Sequence, residues 1–587
     1  MTRLVLCLAI VAALVVLPGR AQSPANDWVA TSNRYANELL AITMKHQPEA
    51  GTAAGLSQYD ADASQPTRAD EDAARHETEA VLAEFRRAAA EPQPPEVAED
   101  LAILIHAVDL RFRRQDVSRA HDVSFLDASE FVFSGLQGLL DDQASADRRP
   151  AAVARLRKYA GLEPGYRPIV DIFRERTTEQ MAVPGVVYPA RGEMETELVR
   201  DPLYVDDLAA RFTKYGLTGW QEPLATIKTQ LDSYNAWLKT AVLPKARTDF
   251  RLPPEEYALN LEQVGVDLPP DRLAAMAHQA FDDLQAEMQP IAAKIAAARH
   301  LPSSDYRDVI RALKKEQIVG DAILPLYQAR LKQIEDIIRE RHIVSLPERP
   351  ARIRIGTAAE SAQQPAPHMV PPPFVHNTGQ QGEFVLPLNI PATTAGGHPE
   401  QYDDFTFDAA AWTLTAHEAR PGHELQFDSM LEHGVSFARV RYAFNSVNVE
   451  GWGLYAEYLI EPYMPLEGQL VSLDYRLLRA ARAVIDPELQ AGRIQPSDAY
   501  RVLENDVVLS HAFAQEEVER FTYRSPGQAA SYFYGYTQLV ALRHDVEAAL
   551  GPRFNQQTFH DFILAQGLLP PDLMRQVVMA RFVPSAR

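Results

Sequence analysis

The spacing of apolar residues along the chain predicts a mainly helical protein. In the first half of the sequence, apolar residues recur at intervals of three and four, which places them on one face of a helix. Charged residues fall between them on the other faces, and turn-forming segments at 92–95 and 161–165 separate successive helices. The clearest of these apolar stripes comprises Leu101, Leu104, Ile105, Val108 and Phe112.

A second long amphipathic helix is predicted after a proline-containing segment at residues 244–254. Its apolar stripe comprises Leu273, Met276, Phe281, Leu284, Met288, Ile291 and Ile295. Methionine in such a stripe is typical of core packing. His278 and His300 have no partner at ligand spacing, so we expect both at the surface. The proline-containing segment predicts a boundary between an N-terminal helical lobe, residues 22–250, and a second lobe, residues 251–587.

Two short runs with β-like sequence, residues 352–355 and 384–386, flank a segment rich in proline and glutamine at 360–374. That composition is typical of an extended loop. Pro387 follows the second run directly, which favours an edge strand over a central one. An edge strand could pair with an extended substrate backbone, and a small structural hairpin accounts equally well for the pattern. The chain beyond Asp408 again has a helical pattern, so one small sheet is expected in a mainly α protein.

The first 21 residues have the pattern of a cleaved secretory signal. Arg3 precedes an apolar run from Leu4 to Leu17, and small residues end at Ala21. The run is shorter than the roughly 20 apolar residues that a membrane-spanning helix needs. We therefore expect an exported protein, periplasmic or extracellular, with no membrane attachment after cleavage. The one cysteine, Cys7, lies in this segment, so any metal in the mature chain must be held by histidines and carboxylates.

The charge of the chain restricts its partners. The formal net charge is -21 at pH 7, which argues against nucleic acids and anionic membrane surfaces as binding partners. Hydrophobic residues make up 46% of the 587 residues, which is ordinary for a soluble globular protein. Neither quantity determines the oligomeric state.

Residues 417–423 read His-Glu-Ala-Arg-Pro-Gly-His and resemble the zinc-metallopeptidase signature in which two histidines one helical turn apart flank a general-base glutamate. Here the second histidine comes six positions after the first, and not four. In an unbroken helix, six residues turn through about 600°, which leaves the two imidazoles about 120° apart and displaced by about 9 Å. His417 and His423 can therefore share a metal only if Pro421 and Gly422 leave the helix.

The best candidate for a third ligand is Glu450. Catalytic zinc takes three protein ligands and keeps one position for water, and two histidines with one glutamate form a known set. Glu457 lies on the same helix face two turns later, too far to share the metal but suitably placed to support a ligand. A solvated charge is the alternative for Glu457.

The predicted chemistry is amide hydrolysis. The metal lowers the pKa of bound water and polarises the scissile carbonyl, and Glu418 takes the water proton and passes it to the leaving amine. The developing oxyanion needs a further donor, for which three tyrosines after a Pro-Gly turn are available. They are Tyr532, Tyr534 and Tyr536, and packing is the commoner role for any one of them.

Three ordered motifs resemble a large family of bacterial, mostly exported proteins that is catalogued as a domain of unknown function and grouped with the gluzincin-like zinc metallopeptidases. They are His-Glu-x-x-Pro-Gly-His, Glu-Gly-Trp-Gly-Leu-Tyr-Ala-Glu from residue 450, and Pro-Gly-Gln-Ala-x-Ser-Tyr from residue 526. Residues 48–60 are similar to the opening segment of that family, so the resemblance covers most of the mature chain.

The resemblance implies that His417, His423 and Glu450 bind Zn²⁺, that Glu418 is the general base, and that Tyr532 is the tyrosine at the site. It also implies a two-lobed helical metallopeptidase-like fold, with a small β-sheet near the active site and a substrate channel that suits short peptides. In this reading, residues 251–587 form the catalytic lobe with the zinc site. The expected partner is an oligopeptide or another small amide.

Two positions depart from the family pattern. Glu424 stands where the family often has a second histidine, and Gln490 stands where the family tends to have the histidine of Asp-x-Gly-x-His. The function predicted from the sequence is an exported zinc peptidase, with a zinc hydrolase of a non-peptide amide as the close alternative. A helical binding or scaffold protein with a vestigial metal site is the third reading, which the presence of Glu418 disfavours.

Overall fold

The structure is a computed structural model that describes residues 27–390, 397–398 and 400–586. The predicted secretory signal at residues 1–21, with Cys7, lies outside the described residues. None of the helices in the described part of the chain combines the length and apolar character that a membrane crossing requires.

The chain as far as residue 250 is helical, as its apolar periodicity predicts. Leu101, Leu104 and Val108 are buried along one face of α4, and Ile105 and Phe112 are half-buried beside them. The helices are α1 (Asp27–His46), α2 (Pro48–Ala53), α3 (Arg68–Ala89), α4 (Pro95–His121), α5 (Ala128–Gln137), α6 (Ala151–Tyr159), α7 (Ile169–Met181), α8 (Arg191–Lys214) and α9 (Gln221–Trp237).

The second predicted amphipathic helix is α11. It begins at Pro270, because the first turn of a helix does not need the N–H that proline lacks. Its apolar stripe is buried or half-buried apart from Met276, which is 36% exposed, and His278 and His300 lie at the surface as predicted. The helices of this part are α10 (Pro254–Val264), α11 (Pro270–Arg299), α12 (Tyr306–Lys314), α13 (Ile323–Arg341) and α14 (Ala358–Gln363).

The strands lie between α13 and the motif at residues 417–423. They are β1 (Arg352–Ile355), β2 (His368–Val370), β3 (Glu383–Leu386), β4 (Asn389–Ile390) and β5 (Glu400–Gln401). The first three form a sheet in the order β1-β3-β2, in which β1 is parallel and β2 antiparallel to β3. The last two form an antiparallel pair.

Three details of the predicted sheet region are wrong. The central strand is β3, whereas Pro387 suggested an edge; the proline comes just after the strand, where its missing N–H interrupts no ladder bond. The two predicted runs are parallel and therefore form no hairpin. The segment 360–374 contains the edge strand β2 and the end of α14, because local composition does not report pairing with a distant strand.

The remaining part of the chain is again helical. Its helices are α15 (Asp408–Leu414), α16 (His423–His433), α17 (Ser446–Ile460), α18 (Leu466–Gln490), α19 (Pro496–Asn505), α20 (His511–Glu519), α21 (Ala530–Leu550), α22 (Gln556–Leu564), α23 (Pro571–Val577) and α24 (Val583–Ser585). Short π-helical segments extend α9, α15, α20 and α23, at Leu238–Val242, Thr415–Ala419, Arg520–Arg524 and Val578–Phe582, and another, Ala438–Tyr442, lies between α16 and α17.

The apolar faces of the helices meet in several cores. Helices α5 to α9 bury one core between them, and α1, α3 and α4 bury another that reaches Ala438. The largest core lies among α10 to α12, α15 and α18 to α21, and a further one joins α13, α17 and α21 to α24. The division into two lobes near residue 250 stays a prediction. The candidate metal site lies where the ends of α15 and α16 meet α17 and α21.

Candidate metal centre

The chain leaves the helix within the motif at residues 417–423. Helix α15 continues into the π-helical segment Thr415–Ala419, Arg420 has an extended backbone, and α16 begins at His423. The peptide bond between Arg420 and Pro421 is cis. His417 therefore lies near the end of one helix and His423 begins the next, which is the arrangement that the six-residue spacing requires.

Asp408 lies in the first turn of α15 and is not the cap residue of this helix. Phe407 occupies the cap position, and Asp408 is the first residue of the helix. The carboxylate of Asp408 pairs with Arg330 at 2.5 Å, and a negative charge in the first turn is favourable to the helix dipole.

The turn between the two helices depends on Gly422 and on Trp452. A Cβ atom at Gly422 would overlap the main-chain oxygens of Ala416 and His417, so only glycine fits at this point. The indole Nε1 of Trp452 donates a hydrogen bond of 2.9 Å to the carbonyl oxygen of Pro421. The second motif thus holds the irregular turn of the first.

Three ligand atoms converge in front of this turn. Oε2 of Glu450 lies 3.4 Å from Nε2 of His417 and 3.3 Å from Nε2 of His423. Ligand atoms of the three side chains all lie within 4.8 Å of one another. A tetrahedral metal that holds two ligands at about 2.0–2.1 Å separates them by about 3.3–3.4 Å, so the two distances from Glu450 to the histidines fit zinc.

The carboxylate of Glu450 is kept ionised by its surroundings. Its Oε2 atom is buried and has no hydrogen-bond partner among the described residues, although two imidazoles flank it. Burial opposes ionisation, but His417 and His423 outweigh it and hold the pKa of Glu450 well below its usual value. An anionic, unpartnered oxygen between two imidazole nitrogens is a suitable metal ligand.

Glu457 contacts a proposed ligand directly, and the alternative of a solvated charge is wrong because the residue is 2% exposed. Its Oε1 atom lies 2.7 Å from Nδ1 of His417, and its Oε2 accepts a hydrogen bond of 2.6 Å from Thr413. Burial raises the pKa of Glu457, but Arg479 and His417 together lower it below its ordinary value. Contact at Nδ1 orients the imidazole so that Nε2 points towards the other ligands.

The glycines of the second motif make room for two close approaches. A Cβ atom at Gly453 would lie 2.6 Å from Cε1 of His417, so glycine leaves the space that the imidazole occupies. A Cβ atom at Gly451 would lie 2.6 Å from the main-chain carbon of Gly535, and one at Gly535 would overlap the carbonyl oxygen of Val447. Helices α17 and α21 can therefore pack with their backbones nearly in contact, which fixes Glu450 relative to Tyr532.

Glu418 lies beside the three ligands without joining them. Its Oε1 atom is 3.9 Å from Nε2 of His417, and its Oε2 atom has no hydrogen-bond partner among the described residues. Burial raises the pKa of Glu418 to about 8, with His423 opposing the rise and Glu450 adding to it. A buried carboxylate whose pKa lies near neutrality can exchange a proton near neutral pH.

Of the three candidate tyrosines, Tyr532 lines the same cavity as the ligands. Its ring lies nearly parallel to that of His417, at 6.4 Å between centroids, and its hydroxyl accepts a hydrogen bond of 3.3 Å from Arg520. Burial and the neighbouring Glu450 raise the pKa of Tyr532. Tyr534 instead donates a hydrogen bond to Asp267, and Tyr536 lies within 6.1 Å of the Tyr458 ring.

A cavity of about 960 Å³ opens in front of the ligands. His417, Glu418, His423 and Glu450 form part of its wall, and the edge strand β2 forms another part. Apolar side chains line much of the remainder, among them Phe374, Phe405, Phe427, Phe444 and Phe513. A cavity of this size accommodates a ligand of several residues.

Three arginines that line this cavity were not predicted from the sequence. Arg479 contacts Glu457 at 3.4 Å, Arg482 pairs with Glu517 at 2.5 Å, and Arg520 pairs with Glu516 at 3.0 Å. The signal that could have revealed two of them is the presence of Arg479 and Arg482 at i and i+3 in an otherwise apolar part of α18, where lone charges are unexpected.

The two positions that depart from the family pattern have structural contacts. Glu424 is buried and accepts hydrogen bonds from Arg420, the nearest at 2.6 Å. Gln490 bonds through its amide nitrogen to the carbonyl oxygen of Phe521 and through its oxygen to the N–H of Leu252. Neither residue belongs to the group of ligand atoms.

Comparison with known proteins places the chain among bacterial proteins. A family model described as "Bacterial protein of unknown function (DUF885)" matches residues 48–578. No curated protein matches the chain significantly.

Two solved structures resemble the fold. One is a candidate lipoprotein of unknown function from Shewanella oneidensis, with a TM-score of 0.68 and 17% identity over 93% of this chain and 99% of that one. The other is a candidate lipoprotein from Colwellia psychrerythraea, with a TM-score of 0.73 and 18% identity over 96% of this chain and 99% of that one. At these identities the likeness concerns the fold alone.

Proposed function

The chain belongs to the DUF885 family of bacterial proteins of unknown function, and on that premise we propose that it is an exported zinc metallopeptidase that hydrolyses short peptides. The observation that carries the proposal is the convergence of three buried ligand atoms beside a glutamate with a free carboxylate oxygen. Binding alone needs no such glutamate, whereas hydrolysis needs a base at this position.

His417, His423 and Glu450 would hold the zinc ion, and Glu457 would hold His417 in the tautomer that presents Nε2. When bound, zinc supplies a Lewis acid that lowers the pKa of a water molecule and polarises the carbonyl group of the substrate.

Glu418 acts as the general base in this proposal. Its carboxylate takes a proton from the attacking water, whose oxygen forms the new bond to the carbonyl carbon. As the C–N bond breaks, Glu418 gives the same proton to the leaving amine, so the carboxylate is regenerated at the end of the cycle. Zinc would also lower the pKa of Glu418 below the raised value that burial produces, because a nearby cation favours the ionised form.

Tyr532 is the proposed donor to the carbonyl oxygen as negative charge develops on it. The guanidinium of Arg520, which donates to the tyrosine hydroxyl, leaves the phenolic hydrogen free to point into the cavity. Arg482 lies 4.6 Å from the centroid of the Tyr532 ring and helps to fix the ring in place.

The cavity supports a peptide substrate in a metallopeptidase-like channel. The edge strand β2 lines it, and its outer edge is available to pair with an extended peptide backbone. A non-peptide amide would fill the cavity without using this strand, so the strand favours the peptide over the alternative substrate.

Export is part of the proposal. It is supported by the secretory pattern of residues 1–21 and by the two structural neighbours that are described as candidate lipoproteins.

The test combines metal analysis with a peptide-library digest of the wild type and of Glu418→Gln. We expect about one zinc ion per chain in both proteins, since the three ligands are unchanged. Hydrolysis is expected to be lost in the variant, with a drop in kcat of at least about 100-fold, because proton transfer is removed.

Glu432→Gln, at an exposed position on α16, is the matched control and should digest the library as the wild type does. Wild-type protein that binds no zinc, or undiminished turnover by Glu418→Gln, would contradict the proposal. A library that remains intact while model amides are hydrolysed would identify the non-peptide alternative.

A further inference from the structure

A second cavity, of about 740 Å³, adjoins the candidate metal centre. It shares Glu450, Arg520 and Tyr532 with the first cavity, so the two spaces meet at the proposed ligand and the proposed donor. Its far wall is formed mainly by residues of α5 and α8 and the segment before α5, all more than 200 positions away in sequence from the motif at residues 417–423. We call this space the acidic chamber because several carboxylates line it.

Five carboxylates besides Glu450 line the acidic chamber, and two arginines accompany them. The arginines are already paired: Arg520 with Glu516 at 3.0 Å and Arg524 with Glu197 at 2.9 Å. The other three carboxylates have no lysine, arginine or histidine at ion-pair distance within the described part of the chain. These three are Asp127, Glu130 and Glu193.

Two oxygen atoms of these carboxylates are buried without a hydrogen bond. Glu516 is 4% exposed, and its Oε2 atom has no partner among the residues described, although its Oε1 contacts Arg520. Asp127 caps α5 through Oδ1, which accepts from the N–H of Glu130, while its Oδ2 has no partner. Buried acceptors without donors are unfavourable in a folded protein, so a donor from outside the chain would be bound strongly here.

The ionisation behaviour of the acidic chamber agrees with a missing cation. Burial raises the pKa of Glu193 to about 7 and that of Glu197 to about 6. Burial and the adjacent Asp201 raise the pKa of Asp127 well above its usual value. A cation among these groups would restore their negative charge and would gain from several of them at once.

A metal ion does not suit this chamber. Within the described residues, the ligand atoms that lie close enough to share a metal are those of His417, His423 and Glu450. The chamber carboxylates do not converge in that way, and the space is large enough for an organic group. An ammonium or guanidinium group can contact carboxylates that are spread over a wall, because its donors point in several directions.

We propose that the acidic chamber binds a positively charged group of the substrate, an ammonium or a guanidinium, next to the amide that is hydrolysed. This specificity rests on the proposed peptidase function. The chamber begins at Glu450 and Tyr532, so the cation is expected within a few atoms of the scissile bond. Two parts of a peptide carry this chemistry: the α-ammonium group of the N-terminus and the side chain of lysine or arginine.

The experiment measures binding as well as cleavage, using one fluorescent peptide in four forms. The peptide carries either lysine or norleucine at one position, and its N-terminus is either free or acetylated. Anisotropy titrations use the zinc-loaded Glu418→Gln protein, which should hold the peptides intact. We expect removal of the chamber-bound cation to weaken binding about tenfold or more, as loss of a hydrogen bond between charged groups does.

The arms of the experiment distinguish the two sources of the cation. A loss on acetylation assigns the α-ammonium group, and a loss on replacing lysine by norleucine assigns the side chain. Equal affinity for all four forms overturns the proposal.

The wall itself is tested with Glu193→Gln and Glu130→Gln, and with Glu195→Gln as the matched control. Glu195 lies on α8, two residues from both Glu193 and Glu197, but it is exposed and does not line the chamber. We expect each of the first two variants to reduce the preference for the cationic peptide at least about fivefold, and the control to keep it. Thermal melting verifies that each variant is folded. Indistinguishable preferences for Glu193→Gln and Glu195→Gln would overturn the assignment.

Failure of this inference can be separated from failure of the proposed function. Cation-dependent binding without hydrolysis by the wild type would contradict the peptidase and support the chamber. Hydrolysis with no preference for cationic peptides would support the peptidase and contradict the chamber.

Discussion

The two walls that meet at the candidate metal centre carry their charged groups in different ways. On the wall formed by α15 to α18, the charged groups behind the proposed ligands are paired: His417 contacts Glu457, and Glu457 contacts Arg479. On the wall formed by α5 and α8, Asp127 and Glu193 line the acidic chamber with no cation at ion-pair distance among the described residues.

This difference indicates what each wall is adapted to hold. Paired buried charges keep one geometry with or without a ligand, because removing one partner leaves the other uncompensated. That rigidity suits a site in which ligand atoms must remain fixed. Unpaired buried carboxylates raise the free energy of the folded protein until a cation reaches them, which suits a pocket for a part of the substrate. The wall formed by α15 to α18, which we call the metal wall, is therefore suited to hold ligand atoms in a fixed arrangement. The wall formed by α5 and α8, which we call the chamber wall, is suited to bind a charged group of the proposed substrate.

The largest effect, on zinc affinity, is expected from Gly453→Ala on the metal wall, because this substitution fills space that the imidazole of His417 occupies. In Gly453→Ala, the new methyl group would lie 2.6 Å from His417 Cε1, so the ring must move away from Glu450. We expect zinc affinity to fall by at least about 100-fold, beyond the loss typical of changes to groups that support a ligand.

Gly138→Ala is the control for that substitution, since a Cβ atom at Gly138 would meet nothing within 4 Å. Competition with a fluorescent zinc chelator gives the affinity, and circular dichroism verifies the fold. Wild-type zinc affinity in Gly453→Ala would show that the metal wall is less rigid than its contacts indicate.

The next largest effect is a pH-dependent change in the free energy of unfolding, which we expect from Glu193 on the chamber wall. Burial, with Glu197 adding to it, raises the pKa of Glu193 to about 7, so between pH 4.5 and 7 the folded state binds more protons than the unfolded state. The binding of this proton by the folded state adds to the free energy of unfolding. The contribution is complete below about pH 4.5 and is lost progressively as the pH rises to about 7. Glu193→Gln removes the ionisation, so we expect the variant to exceed the wild type in stability by about 2–3 kcal/mol at pH 8.

Urea unfolding of both proteins at pH 5 and pH 8 measures this effect. At pH 5 the difference should shrink to less than about 1 kcal/mol, because this pH lies only about half a unit above the pKa of the carboxyl in the unfolded chain. The exposed Glu195→Gln should change stability by less than about 0.5 kcal/mol at either pH. A Glu193→Gln protein that is less stable than the wild type at pH 8 would indicate that the chamber carboxylate already has a partner.

The smallest effect is expected from Glu457→Gln on the metal wall. Glutamine keeps the size of the side chain and can still accept from Nδ1 of His417, but it loses the negative charge that faces Arg479. Changes of this kind in groups that support a metal ligand lower affinity by about 10–100-fold, and we expect the lower end of that range. Zinc competition measures it, with Glu432→Gln as the control, and an unchanged affinity would remove Glu457 from the support of His417.

Much of the candidate site could be predicted because its signals are local. The residue types of zinc ligands are few, and Pro421 and Gly422 mark a break in the helix within the motif itself. The resemblance favours Tyr532 over its two neighbours, and of these three Tyr532 is the one that lines the cavity with the proposed ligands. Glu457 was also expected on the same helix face as Glu450, since helical periodicity gives this directly, and from that face it contacts His417.

Other features could not be predicted because they depend on segments that are far apart in the sequence. The order of the three strands places β3 at the centre, although Pro387 suggested an edge, because strand order depends on which distant segment pairs with which. The glycines at 451 and 535 meet across two helices, and neither position by itself reveals the contact.

The sequence by itself determined the helical class of this protein, the residues of the candidate metal site and the interruption between its two histidines. Each of these follows from periodicity, residue chemistry or backbone preference within a short stretch of chain. Only the tertiary structure decided that α5 and α8 form the far wall of a chamber next to Glu450, and that three of its carboxylates have no cation at ion-pair distance in the described part of the chain. The pairing of a buried charge is a property of all the segments packed around it, so it exists only once those segments have come together.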